Sequence, residues 1–274
     1  MLTSAAPLSM PAGQRYDFAD LLNGGRTDAA TLRAWLLDAR ARTRALTDDL
    51  EGARELGPRL GLVNAPLWEL GHLAWFQEYW CLRFRNALAP LPSMIANADA
   101  LYNSAIAAHA TRWDLPLLNW RDMRGYQDEG LRRVLETLER APLDEQRAYF
   151  ALLSVFHEDM HGEALCYTRQ TLGHARVPIA SEGVSPSRVQ REMGDAHYPG
   201  GWFVLGAAHG SGFAFDNERW AHEIELGSFE LARAPVSYAE FAAFVDDDGY
   251  RREALWSAPG WAWRNAANAQ HPLY

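Results

Sequence analysis

The chain has 274 residues, 48% hydrophobic and 22% charged, the balance of a folded protein of one large domain or two ordinary ones. Its net charge of −9 excludes a general nucleic-acid or anionic-membrane binder, which needs a basic face. All 26 basic residues are arginine. With no lysine, a Walker A phosphate loop, a pyridoxal-phosphate Schiff base and any lysine nucleophile are excluded.

Two cysteines, Cys81 and Cys166, are too few for a disulfide scaffold and form no CxxC pair. No uncharged apolar run reaches the ~18 residues that span a bilayer, and no leader-like segment opens the sequence. A cytoplasmic protein without membrane or nucleic-acid partners is expected.

Residues 1–27, rich in Gly, Ala, Pro and Ser, read as a flexible N-terminus. Asp28 is placed to cap a helix over 29–52, where Leu32, Leu36, Ala39, Leu46 and Leu50 recur at helical spacing. Asn64 and Pro66 open a second helix that runs to about Asn86. Ala96–Ala108 reads as a third, and 126–140 as a fourth. Leu143–Leu172 is long and uninterrupted, with Gly173 as its C-cap. Short connections between such helices predict a bundle over 28–175. Residues 176–199, with several Pro and Gly, read as a linker. From 200 to 274 the pattern becomes short and β-like: Trp202–Leu205, Phe213–Phe215 and His222–Leu226. Ser237 and Glu240 form a capping box before one helix. The expected fold class is α+β, a four-helix-type bundle followed by a smaller α+β part.

Three histidines carry chemistry. His157 and His161 sit four apart in the long helix, so both imidazoles share one face. That face carries Phe150, Leu153, Ala164 and Thr168, so the pair points into the bundle. His72 lies on the apolar second helix. Buried imidazoles this close need a partner, and a bundle core is a common setting for a metal. Imidazole suits Zn, Cu, Fe and Ni, and spacing alone leaves the metal and a zinc hydrolase open.

In order along the chain, Leu67-Trp68-Glu69-Leu70-Gly71-His72, Tyr102-Asn103-Ser104 and Phe156-His157-Glu158-Asp159-Met160-His161-Gly162-Glu163 resemble the DinB-like bundle of ergothioneine sulfoxide synthases and the related selenoneine synthases. Phe213-Ala214-Phe215-Asp216-Asn217-Glu218, Ala234-Pro235-Val236-Ser237-Tyr238, Leu255-Trp256 and Gly260-Trp261-Ala262-Trp263 are similar to the opening half of a formylglycine-generating-enzyme, C-type-lectin-like domain. The resemblance covers most of residues 30–274. It implies Fe(II) on His72, His157 and His161, with O2 as co-substrate, joining hercynine to a selenium or sulfur donor. It also implies Arg112 near the donor, where a guanidinium suits a carboxylate or sugar hydroxyls, and makes Tyr102 and Asn103 substrate-side candidates. The family's active-site tyrosine is expected beyond Tyr274, which makes this chain an expected fragment.

Met160 stands where sulfoxide synthases commonly carry glutamine, and a thioether lacks the amide's hydrogen bonds. With the Arg112-Trp113-Asp114-Leu115-Pro116 segment, this favours a selenosugar as donor. A thiol donor is the near alternative. A DinB-type thiol transferase holding zinc or nickel, and a non-catalytic lectin-like binding protein, are the distant ones. Formylglycine generation is disfavoured because 200–274 holds no cysteine.

Overall fold

The computed structural model describes residues 28–85, 88–140, 142–177 and 194–272. These fall into two compact units. One holds the described residues up to 177 together with Gly206–Ala221; the other holds 194–205 and 222–272. The expected flexible N-terminus and most of the expected linker lie outside the described residues.

In the first unit the helices are α1 (Ala29–Thr47), α2 (Pro66–Glu78), a short α3 (Ala98–Tyr102), α4 (Trp120–Leu138) and α5 (Glu145–Thr171). Side-chain caps start three of them. Asp28 accepts from the Thr31 amide at 2.7 Å, Asn119 from Asp122 at 2.9 Å, and Asp144 from Arg147 at 2.8 Å. The Asn119 cap starts α4 six residues before the expected 126. Gly173 closes α5 as expected, at φ +66°. The amide of His174 donates to Arg169 O at 2.8 Å and that of Gly173 to Gln170 O at 3.1 Å, a Schellman motif.

Three helices end sooner than periodicity predicts. α1 stops at Thr47 and not 52, where Arg169 takes the Leu46 carbonyl at 3.0 Å and the Asp49 carboxylate at 2.6 Å. α2 changes at Tyr79 into a π-turn, Tyr79–Arg83, with the Phe84 amide on Tyr79 O. Arg83 anchors that turn through both oxygens of Asp99, at 2.8 and 2.7 Å. The expected end at Asn86 lies outside the described residues. The expected helix Ala96–Ala108 is only five residues long, because Asn103 turns the chain, its side-chain oxygen accepting from the Ala105 amide at 3.0 Å.

α2 is the central helix, and all but one of its thirteen residues are buried. A helix buried all round must pair its polar side chains internally. Glu78 accepts from Ser93 Oγ at 2.7 Å, from the Met94 amide at 2.6 Å and from Tyr126 Oη. Gln77 donates to Ser154 Oγ at 3.0 Å. One apolar cluster wraps α2 with Trp68, Leu70, Tyr102 and Met123; a second joins α1, α4 and α5 through Leu32, Leu36, Leu131, Leu135 and Val155. Arg40 crosses between helices, meeting Glu158 at 2.7 and 3.2 Å and Gln127 O at 2.8 Å, with both charged side chains 3% exposed.

Phe213–Phe215 is not a strand. Phe213 stacks on Tyr149, ring centroids 5.1 Å apart, and meets Phe156 at 4.8 Å. The Ala214 carbonyl accepts from Tyr149 Oη at 3.1 Å and Arg219 Nη2 at 2.6 Å. Side chains satisfy the backbone here, so no ladder forms.

In the second unit, β2 (Gly201–Leu205) pairs antiparallel with β3 (His222–Leu226), Gly201 opposite Leu226. These are the expected strands. A second ladder pairs β1 (Asp195–Tyr198) with β4 (Phe229–Ala232). α6 (Tyr238–Asp246) carries the expected capping box, and α7 (Ala258–Ala266) is capped by Ser257. Among the described residues, no helix is long and apolar enough to cross a membrane.

Candidate metal centre

α5 delivers His157 and His161 from consecutive turns, and α2 delivers His72 between them. The three rings form a triangle, with centroids 4.9, 4.9 and 4.6 Å apart. One ligand nitrogen from each lies within 4.8 Å of the others, and among the described residues no other such group of His, Cys, Asp or Glu occurs. Three equidistant nitrogens on one ion lie at most ~3.6 Å apart at a ~2.1 Å bond length, so seating a single ion draws the three rings closer together.

Each ring is held by a different device. His72 Nδ1 donates to the Tyr102 carbonyl at 2.8 Å, because a carbonyl can only accept. Its ring lies between Trp68 and Trp75, centroids 5.1 and 5.8 Å away. His161 Nδ1 sits 2.7 Å from Glu69 Oε1, and Glu69 is fully buried. Nε2 of both histidines is thereby left as the free lone pair. His157 is clamped by Phe76, ring centroids 3.6 Å apart and planes 7° apart. Aromatic rings line His72 and His157, while His161 is 19% exposed.

Burial favours the neutral form of His72 and His157. Desolvation, then the nearby His161 and Arg112, pulls His72 down to about 4 from an ordinary 6.5, against the Tyr102 hydrogen bond. Desolvation, with His161 and His72 behind it, holds His157 well below its ordinary value. Neutral imidazole is the form that binds a metal. Glu69 Oε2 is buried without a hydrogen-bond partner among the described residues, and a cation on the histidines would add to the compensation that the Arg112 guanidinium gives it. The donor set and this orphan oxygen fit a divalent transition metal.

The expected substrate residues lie beside the cluster in different ways. The Arg112 guanidinium stacks 3.7 Å above the Trp68 ring, and Nη1 donates to Asn64 Oδ1 at 2.6 Å. Arg112, Trp68 and His72 therefore form one stack. Tyr102 is fully buried; its hydroxyl accepts from the Leu118 amide at 3.1 Å and its carbonyl holds His72. Asn103 uses its side-chain oxygen in the turn described above. Met160 is 50% exposed on α5. Cys81 stays outside the cluster, its thiol pushed up to about 12 by burial.

Sequence reasoning missed Glu69. Its signal was present: a carboxylate three residues before His72, in the largely apolar first turns of α2. It also missed the ion pair of Arg40 with Glu158, the residue that follows His157.

Residues 181–273 match the family model of the sulfatase-modifying factor enzyme 1-like domain. A hercynine oxygenase of Mycolicibacterium smegmatis is 35% identical over 250 residues, covering 89% of this chain and 56% of that protein. One from Mycolicibacterium thermoresistibile is 33% identical over 249 residues, covering 89% and 54%. One from Mycobacterium tuberculosis is 30% identical over 253 residues, covering 90% and 58%. The chain is thus similar to hercynine oxygenases along nearly all of its own length, and spans about half the length of these relatives.

Proposed function

We propose that this chain carries the iron centre of an O2-dependent enzyme that joins hercynine to a selenosugar, forming a C–Se bond. His72, His157 and His161 would hold Fe(II), on a DinB-like bundle followed by part of a sulfatase-modifying-factor domain. The observation that carries this reading is the three-histidine cluster joining the buried α2 to α5, in a chain similar over nine-tenths of its length to hercynine oxygenases.

When bound, iron with three imidazoles and open positions supplies the one-electron and O2 chemistry for oxidative bond formation. The chain's own residues do the rest. Tyr102 O orients His72, and Phe76 fixes the plane of His157. Trp68, Trp75 and Phe76 pack round His72 and shield its ring from water. Arg112, stacked on Trp68, offers a guanidinium to a carboxylate or hydroxyl of the donor, and stacking limits the entropy lost in positioning it. Tyr102 serves through its carbonyl, and Asn103 through the turn that places that carbonyl.

A thiol donor, as the resemblance of the His72 and His157–His161 motifs to ergothioneine sulfoxide synthases implies, is the second reading. The exposed Met160, in place of a glutamine, favours selenium. The test is iron-loaded protein with hercynine, O2 and either a selenosugar or γ-glutamylcysteine, followed by oxygen uptake and product mass. A hercynine–selenium adduct with the selenosugar alone supports the first reading. A sulfoxide with the thiol alone supports the second. Hercynine-independent oxygen uptake, or none, refutes both for this chain.

A further inference from the structure

Glu69 is a buried carboxylate with one oxygen engaged and one orphaned. It sits on α2, fully buried, one turn before His72. Oε1 is 2.7 Å from His161 Nδ1, and Oε2 has no hydrogen-bond partner among the described residues. The other buried acids of the bundle are treated differently. Glu158 meets Arg40 through both oxygens, and Glu78 accepts from three donors. A half-satisfied buried carboxylate is costly in a fold that satisfies its neighbours so fully. The Arg112 guanidinium offsets part of that cost, and a cation on the three histidines would offset more.

We propose that Glu69 is the charge-compensating positioning residue of the metal centre, acting through His161. Three neutral imidazoles bring no negative charge to a divalent ion. Glu69 supplies one anionic charge from behind a ligand, relayed through the Nδ1–H of His161, and fixes that ring with Nε2 as the ligand atom. The metal-free protein carries the cost of the orphan oxygen, and metal binding relieves it. Tyr102 O, a neutral acceptor, fixes the His72 tautomer without adding charge, so the two second partners are not equivalent. This inference rests on the three-histidine reading and deepens it.

The test uses the whole chain and cobalt(II), whose visible absorption reports its ligands. Cobalt affinity is measured by competition with a chelator for wild type and Glu69→Gln, and thermal midpoints are measured on both proteins without metal. The expected result is affinity weaker by ~10–100-fold in the variant, with a metal-free midpoint equal to or above that of wild type. A purely structural carboxylate would lower the midpoint. Affinity within threefold of wild type overturns the proposal. So does a metal-free midpoint that falls, or a variant that does not fold, since either makes Glu69 a packing residue. Wild type supplies a check that needs no variant: nitrogen-15 spectra of its histidines should show His161 as the Nδ1–H tautomer, and an Nε2–H tautomer there overturns the proposal. Wild type that binds neither cobalt nor iron removes the metal-centre reading itself, a failure distinct from Glu69 being inert.

Discussion

A Cβ on Gly71 would lie 2.2 Å from Cε1 of Tyr102. The ring of Tyr102 occupies the space directly over the backbone of α2, one residue before His72, and the Tyr102 carbonyl holds His72 Nδ1. Close approach and ligand orientation are thus one feature. Gly71→Ala must displace Tyr102, and also the tip of Met123, whose Cε lies 2.7 Å from the same position. Overpacking of this kind costs ~1–3 kcal/mol. We expect a lower urea midpoint together with weaker metal binding, read by denaturation and metal titration. A variant with wild-type affinity would detach His72 orientation from Tyr102.

The metal-free protein should lose stability on acidification. An unfolded chain protonates its histidines near their ordinary 6.5, whereas folded His72 stays neutral down to about 4. Between those values the unfolded state binds more protons, so stability is fully present above about 6.5 and falls as pH drops towards 4. His72 alone accounts for on the order of 3 kcal/mol across that window. His157, depressed in the same direction, adds to the slope. Urea midpoints with chelator present should fall between pH 7.5 and 5. A flat profile would contradict the burial of neutral imidazoles.

Arg40 and Glu158 should show the asymmetry of a buried ion pair. Arg40→Met leaves Glu158, 3% exposed, as an uncompensated charge, and should cost ~3–5 kcal/mol. Arg40→Met with Glu158→Leu should recover most of that loss. The comparison is made by denaturant unfolding of all four proteins. A single variant costing less than ~1 kcal/mol would mean the pair does not clamp α1 to α5.

Arg112→Lys keeps the charge and loses the flat stack on Trp68. The expected cost is about 1 kcal/mol of stability, with iron content unchanged. Loss of iron would place Arg112 closer to the metal than its hydrogen bonds to Asn64 and Ala107 indicate.

Much of the bundle was legible because its signals are local. Periodicity marks α1, α2, α4 and α5, and the i, i+4 pair His157 and His161 requires only that α5 be a helix. Helix ends were less legible, since tertiary contacts decide them. Arg169 draws off the Leu46 carbonyl from 123 residues away, and Arg83 pulls the end of α2 into a π-turn. The alternation in Phe213–Phe215 resembles a strand, yet its backbone is satisfied by Tyr149 and Arg219. Asp195–Tyr198 lay hidden in a Pro/Gly-rich stretch because its partner, Phe229–Ala232, is more than thirty residues on. At the site, the ligands were readable and their supports were not. Glu69 meets His161 across 92 residues, a pairing that no spacing rule contains.

The central claim is that His72, His157 and His161 together hold one iron. Its most direct test is the metal content of protein purified anaerobically without added metal, wild type against His157→Ala. About one equivalent of iron in wild type is expected, absent from a variant that remains folded. Iron retained undiminished in folded His157→Ala, or wild type that takes up no iron even on anaerobic reconstitution, would contradict it.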